Sequence, residues 1–195
     1  IDCISDAIVE LFLKLPQQNP NEFLDQVFEK TLEENLYSGV YASLIDKISK
    51  SFSKISLDYL IDKCDSFYNN KIATVVEELK KDSNANYDEI CKIFSKKAEF
   101  IGIFIFISNL FNCDLVKIEI VNKYFNGLKE YINGNTIDNA GIYIDCICSI
   151  LTSCGKKLEM TNKEEFIQNY MNFVDELIAN KKKFPAKYRF KLMDI

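Results

Sequence analysis

One run of apolar residues restricts the folds that this chain can adopt. Residues 100–107 read FIGIFIFI, so aromatic and branched aliphatic side chains occupy nearly every position. Leaving such a run in water costs about 10 to 20 kcal/mol, at about 1.5 to 3 kcal/mol for each large side chain. Because that cost exceeds the net stability of a typical domain, the run has to lie in the core.

Two secondary structures suit this run, a buried strand and a central helix. Its length and its β-branched content are typical of a strand. A single strand in a chain that is otherwise helical has no partner for its backbone hydrogen bonds, however. The 195 residues include only three prolines and six glycines, which favours long regular elements. We therefore predict a central helix surrounded on most sides.

Capping signals and helical periodicity predict about nine helices in this chain. The start signals are Asn19 with Glu22, Asn86 with Glu89, Thr161 with Glu164, and Pro185 for the last helix. The polar stretch at residues 82–86 is typical of a loop. We expect helices nearly throughout.

Pairing neighbouring helices gives hairpins at residues 2–34, 38–82, 87–133 and 137–181. A period near 40 residues is typical of HEAT repeats, so we predict an all-α, HEAT-repeat-like α-solenoid of stacked helical hairpins. No sequence similarity between the repeats supports this period. A non-repeating helical bundle therefore stays open.

A second apolar segment, residues 143–158, reads YIDCICSILTSCGKKL and ends in a stop signal. Its apolar residues recur at helical spacing, which predicts a buried helix. Gly155 follows where a left-handed cap needs a residue without Cβ, and Lys156 and Lys157 suit a helix C-terminus. We therefore predict that the helix ends at Gly155 and that its cysteines pack in the core.

The chain contains seven cysteines and no histidine. Without histidine there is no Cys/His zinc site and no Ser-His or Cys-His catalytic pair, so we expect neither an enzyme, nor a metal, nor a cofactor. The cysteines lack the spacing of a disulfide framework, which indicates reduced thiols in a cytosolic or nuclear protein. The longest apolar run is far shorter than the roughly 20 residues of a membrane span, so we expect no membrane contact.

The two ends of the chain carry opposite charge. Residues 1–35 have a net charge of −6, and residues 181–191 have +6, although the whole chain has only −5. The overall acidity disfavours a dedicated nucleic-acid-binding domain. We therefore take the two ends as the candidate binding regions.

The acidic end supplies the first set of candidate residues. These are Glu29, Glu33, Glu34, Leu36, Tyr37 and Tyr41. Aromatic residues beside charges are typical of a protein-binding surface. The alternatives are that the acids keep a helix soluble and that the apolar residues pack between hairpins.

The basic end supplies the second set, for a protein partner or for RNA phosphates. These are Lys181, Lys182, Lys183, Lys187 and Arg189. The alternative is a solvated, lysine-rich helix end. Arg189 is the only arginine among 24 basic residues, which favours a position that needs a planar guanidinium.

Four segments together resemble the middle domain of eukaryotic translation initiation factor 4 gamma. They are VFEKTLEENLYSGVYASL (27–44), FIFISNLFNCDLV (104–116), IDCICSILTSCGKKLE (144–159) and the tail YRFKLMDI (188–195). In the second segment, Ser108 and Asn109 stand where the family has glycine and glutamate. The resemblance covers most of the chain and implies a single middle domain over residues 1–195 of a longer, cytoplasmic protein.

The resemblance implies a scaffold that binds the DEAD-box RNA helicase called initiation factor 4A, and in some cases RNA. Other initiation factors would bind outside this segment, since no tyrosine here is followed five residues later by leucine, as the cap-binding-protein motif requires. Two alternatives stay open. The first is a same-fold domain of another mRNA scaffold, such as a poly(A)-binding-protein partner, a nonsense-decay factor, a cap-binding-complex subunit or a deadenylase scaffold. The second is a direct RNA-binding module.

Overall fold

The computed structural model describes residues 2–14, 19–51, 55–79, 86–134 and 137–195, and these residues form helices and turns without a strand. The helices are α1 Asp2–Lys14, α2 Pro20–Glu33, α3 Ser38–Ser51, α4 Leu57–Lys71, α5 Val75–Glu78, α6 Tyr87–Asn112, α7 Ile118–Gly134, α8 Ile137–Thr161, α9 Lys163–Phe166, α10 Asn172–Ala179 and α11 Ala186–Met193. A 3-10 turn, Asn35–Tyr37, precedes α3, and a π-helical turn, Ile167–Met171, joins α9 to α10. The all-α prediction is confirmed.

The long helices within the described residues match the nine that the sequence predicts. The continuous run from α9 through α10 counts as one of them, and the four-residue α5 is additional. The predicted loop at residues 82–86 lies outside the described residues except for Asn86. No helix in the described part of the chain combines the length and the apolar character needed to cross a membrane.

Two of the three predicted capping signals are found where the sequence places them. The Asn19 side chain accepts a hydrogen bond from the Glu22 backbone N–H at 3.3 Å, and Asn86 and Glu89 form a complete capping box. The third is displaced by one residue. Asn162, not Thr161, is the N-cap of α9, because the Thr161 hydroxyl donates to the Lys157 carbonyl and closes the last turn of α8.

Gly155 does not end α8, so the predicted stop is wrong. The helix continues for six residues beyond it, to Thr161, and no described glycine has a positive φ. Leu151, Cys154 and Leu158 are all buried, so the apolar stripe of α8 runs straight past the glycine. Burial of Leu158 on the same face favours continuing the helix over the intrinsic preference of glycine for a cap.

The chain divides into two compact units, Ile1–Val116 and Lys117–Ile195. A single domain over residues 1–195 stays a prediction.

In the first unit, α6 packs mainly against α2 and α3 and also contacts α4. Phe104 and Phe106 of α6 are fully buried, and the Phe104 ring meets Tyr68 of α4 edge to face at 6.0 Å.

The FIGIFIFI run is therefore a core helix, as predicted. In the first unit, α6 covers surfaces of α2, α3 and α4, and α1 packs on α3. A helix that is apolar nearly all round needs several partners to bury its side chains. One hairpin neighbour covers too little of it.

In the second unit, α7 packs along α8, and α11 packs on both α8 and α10. Phe125 of α7 contacts Tyr170, a buried residue of the π-helical turn, with the ring centroids 4.4 Å apart. The Tyr170 hydroxyl bonds to the side chain of Asn122 on α7. These contacts hold the π-helical turn against α7.

Candidate partner-binding surfaces

The acidic candidates are brought together where α2 turns into α3. We call this surface, formed by Glu29, Glu33, Glu34, Leu36, Tyr37 and Tyr41, the α2–α3 corner. Asn35 anchors the 3-10 turn, because its side-chain amide donates to the Ala98 carbonyl of α6 at 3.3 Å. This hydrogen bond fixes the 3-10 turn of the corner to the core helix α6.

The turn also lies close to Gly102 of α6. A Cβ on Gly102 would lie 3.5 Å from the Asn35 Cβ and 3.6 Å from the Leu32 backbone. Gly102 is a buried residue of the helix, and both distances are ordinary van der Waals contacts, so the turn packs directly on α6. The residues that follow, Leu36 and Tyr37, are consequently held at the surface.

Leu36 and Tyr37 do not pack in the core, although the sequence left that alternative open. Leu36 is 92% exposed and Tyr37 is 58% exposed, whereas Leu32 and Ser38 on either side of the turn are buried. Tyr41 differs, since it is half-buried and its hydroxyl donates to Glu34 at 2.9 Å. Burial, and then this hydrogen bond, raise the pKa of Tyr41.

The carboxylates of the corner leave a net negative charge. Lys30 lies 2.8 Å from Glu33 and 3.7 Å from Glu34, so one lysine is shared between two acids. The hydrogen bond with Glu33 raises the pKa of Lys30. Glu29 is exposed and has no partner among the described residues. The corner therefore combines two exposed apolar side chains with unneutralised carboxylates.

The basic candidates differ from one another more than their sequence suggests. Lys181 and Lys182 are exposed and make no ion pair within the described chain. Lys187 is also exposed, and its ammonium group lies 5.5 Å from the centre of the Tyr188 ring. These three lysines present their charge to solvent.

Lys183 has a structural role instead. Its ammonium group donates to the backbone carbonyls of Ile132 at 3.1 Å and Asn133 at 3.4 Å, in the last turn of α7. A cation at this position satisfies carbonyls that have no partner in the helix and complements the helix dipole. The charge of Lys183 is thus engaged within the second unit.

Lys191, the last cation of the basic end, is also engaged. It pairs at 2.5 Å with Asp145 of α8, whose side chain is only 9% exposed. Burial lowers the pKa of Lys191, but the hydrogen bond and the charge of Asp145 outweigh burial and leave the pKa raised. This pair fixes α11 to α8.

Arg189 has no such partner. It is half-buried, its Nε is buried without a hydrogen bond, and the structure gives its guanidinium no ion pair within the described residues. The other inward residues of α11 are well packed. Leu192 is buried. The Tyr188 hydroxyl packs so closely on Gly141 of α8 that a Cβ added to this glycine would lie only 2.0 Å from it.

One component of this surface, an apolar face of α11, is absent from the candidates that the sequence supplies. Phe190 is 60% exposed and Met193 is 53% exposed. Helical spacing could have identified this face, because Ala186, Phe190 and Met193 recur at intervals of four and three residues and Leu192 is not among them. In the sequence, Phe190 stands out only as part of the tail segment that resembles the family.

Neither surface has the composition of a metal site. The part of the chain that the structure describes contains no cluster of three or more His, Cys, Asp or Glu residues suited to a metal ion. The described cysteines are free thiols, and those of α8 are buried. Burial raises the pKa of Cys148 to about 11, which keeps it a protonated packing residue at neutral pH.

Comparison with known proteins gives one family match and several distant relatives. The model of the MIF4G domain matches residues 1–195. The chain is similar to eukaryotic translation initiation factor 4 gamma of Schizosaccharomyces pombe, with 23% identity over 100% of the chain and 15% of that protein. It is also similar to human eukaryotic translation initiation factor 4 gamma 2, with 24% identity over 86% of the chain and 20% of that protein. The chain thus spans about a fifth or less of the length of these relatives.

Proposed function

Because the chain belongs to the MIF4G family, whose domain model covers its whole length, we propose that it is a scaffold domain of translation initiation. Its partner in this proposal is the DEAD-box RNA helicase initiation factor 4A. The similar proteins named above are initiation factors of the 4 gamma type, which supports a role in translation initiation. One observation supports the place of binding: Leu36, 92% exposed, lies in the acidic α2–α3 corner.

The corner has the chemistry of a protein-binding surface. Leu36 and Tyr37 are the apolar anchors, which gain most when a partner removes them from water. The carboxylates form a polar rim that steers a basic surface into contact and orients it. We therefore expect the helicase to present an apolar pocket edged by lysine or arginine.

In this proposal the helicase hydrolyses ATP and the chain holds it in position. The α2–α3 corner binds one helicase lobe, and the C-terminal residues of the second unit contact the other lobe. The free thiols of the described cysteines fit a cytoplasmic location. Further initiation factors bind elsewhere in the longer protein.

Isothermal titration calorimetry with purified helicase tests this proposal. Leu36→Ala is expected to weaken binding by about 10-fold or more, which corresponds to about 1.4 kcal/mol. Met160→Ala is the matched control, because Met160 is 77% exposed but belongs to α8 of the second unit. Equal affinity of the two variants would remove the corner from the proposal.

Reversing two charges tests the role of the acidic rim. Glu33→Lys with Glu34→Lys is expected to slow association, and this effect should fade as salt concentration rises. Absence of helicase binding by the native chain at micromolar concentrations would instead favour another mRNA scaffold of the same family.

A second candidate function is RNA contact through residues 181–191. The observation that favours it is that Lys181 and Lys182 are exposed and carry no ion pair within the described chain. Lys181→Glu with Lys182→Glu should abolish RNA binding in fluorescence anisotropy, while Lys183 is left native because it caps α7. Steep weakening with salt is expected, and unchanged RNA affinity of this variant would exclude the patch.

A further inference from the structure

Arg189 is the unusual residue of the basic end, because it is half-buried and its guanidinium still has no acceptor among the described residues. Lys183 and Lys191 both have acceptors inside the second unit, at 3.1 Å and 2.5 Å. Arg189 has none among the described residues, although its Nε is buried. A guanidinium is always charged, and withdrawing part of it from water is costly unless an acceptor compensates. The missing acceptor is the first sign of a ligand.

Phe190, the residue that follows Arg189 on α11, carries an exposed aromatic ring. Phe190 is 60% exposed and lies on the outer face of α11, since Leu192 points inward and is 2% exposed. Lys187, exposed and without an ion pair among the described residues, lies one helical turn before Phe190. Two cations and an exposed aromatic ring therefore lie within about one turn of α11.

The helix that carries them is firmly seated. The Tyr188 hydroxyl fills the space that Gly141 leaves on α8, and Lys191 pairs with the buried carboxylate of Asp145. Rigid placement lowers the entropy that a ligand must overcome on binding. The helical backbone that carries Arg189 and Phe190 is thus fixed on α8.

We propose that α11 is a platform for single-stranded RNA, in which Arg189 binds a phosphate and Phe190 stacks on a base. This inference deepens the RNA contact proposed above and rests on it. A guanidinium matches the paired oxygens of a phosphate, and an aromatic ring offers a flat face to any unpaired base. Lys181, Lys182 and Lys187 add sequence-independent attraction to the backbone.

The same chemistry argues against duplex RNA as the ligand. Bases in a duplex are stacked on one another, and their faces are closed to a protein ring. An acidic peptide supplies a carboxylate for Arg189 but no flat base for Phe190. Single-stranded RNA is the ligand that uses both residues.

Salt titrations of RNA binding separate the two roles. A labelled pyrimidine decanucleotide is titrated with the full chain by fluorescence anisotropy at several salt concentrations, and a duplex of equal length serves as comparison. Arg189→Met should lower the slope of log affinity against log salt by about 0.7, the value for one phosphate contact to a single strand. Phe190→Leu should leave the slope unchanged and weaken binding by about 5-fold to 150-fold.

A tryptophan reporter tests stacking directly. The chain has no tryptophan, so Phe190→Trp introduces a single fluorophore at the proposed platform. Single-stranded RNA should quench its emission at saturation, and duplex RNA should not. Met160→Trp, at a 77% exposed position on α8, is the control and should show no quenching.

Each outcome decides between the proposals. If the native chain binds no RNA even at low salt, the RNA function itself fails. If RNA binds, but Phe190→Leu binds equally well or duplex binds as tightly as single strands, the platform is refuted while the lysine patch stands. If an acidic peptide binds with dependence on Arg189 and RNA does not, the surface is a protein-docking site. Far-UV circular dichroism and thermal melting of each variant confirm that it folds.

Discussion

Two glycines of α8 lead to opposite predictions for the same substitution. A Cβ at Gly155 would find the Leu151 Cβ as its nearest neighbour, at 3.9 Å, which is ordinary van der Waals contact. A Cβ at Gly141 would lie 2.0 Å from the Tyr188 hydroxyl and 2.4 Å from Cζ of the same ring. Gly155→Ala should therefore fit the helix as it stands, and Gly141→Ala should displace Tyr188.

The expected magnitudes follow from these distances. Alanine in a helix interior is more favourable than glycine by about 0.5 to 1 kcal/mol, so Gly155→Ala should raise the melting temperature by about 1 to 4 °C. Gly141→Ala gains the same amount, but the Tyr188 hydroxyl has to retreat by roughly 1.4 Å to reach ordinary contact at 3.4 Å. Overpacking of this kind costs about 1 to 3 kcal/mol, so the net loss should lie between about 0 and 2.5 kcal/mol.

Urea unfolding followed by far-UV circular dichroism measures both effects. In a Tyr188→Ala background the clash is absent, and Gly141→Ala should then stabilise the chain by about 0.5 to 1 kcal/mol. A loss of stability in Gly155→Ala would refute the continuous α8 and restore a left-handed cap at this glycine. An equal cost of Gly141→Ala with and without the Tyr188 ring would refute the proposed contact.

Three further predictions concern single side chains. Lys183→Met should lower the free energy of unfolding by about 0.5 to 1.5 kcal/mol through loss of its bonds to α7, whereas Lys182→Met should change it little in the same urea assay. Hydrogen bonds from Lys63 and then Tyr59 lower the pKa of Asp25, so its contribution to stability is present above about pH 4 and is lost as pH falls through the lowered pKa. The difference in urea midpoint between native chain and Asp25→Asn should accordingly shrink between pH 6 and pH 3, and a constant difference would contradict this. Exposed Cys91 should react with iodoacetamide at pH 8 well before buried Cys148, and similar rates by peptide mass spectrometry would contradict the packing of α8.

Local interactions were predictable from the sequence. The N-caps Asn19 and Asn86 act on backbone groups within three residues, so the pattern alone was sufficient. The core position of residues 100–107 was predictable as well, because no other location tolerates so much apolar surface.

Features that depend on distant parts of the chain were not predictable. Gly155 has the pattern of a cap, but buried Leu158 continues the helix beyond it. Lys183 resembles Lys181 and Lys182 in sequence, and only the position of the α7 C-terminus distinguishes it. Likewise, Leu36 is exposed because the turn before α3 is tied to Ala98, 63 residues away along the chain.

Hydrogen–deuterium exchange with and without helicase is the most direct test of the central claim, that the α2–α3 corner binds initiation factor 4A. We expect slower exchange in peptides that cover residues 29–41 when the helicase is present, and clearly weaker protection of the Leu36→Ala variant at a helicase concentration near the Kd of the native chain. Protection confined to other parts of the chain, with residues 29–41 unchanged at saturation, would contradict the account.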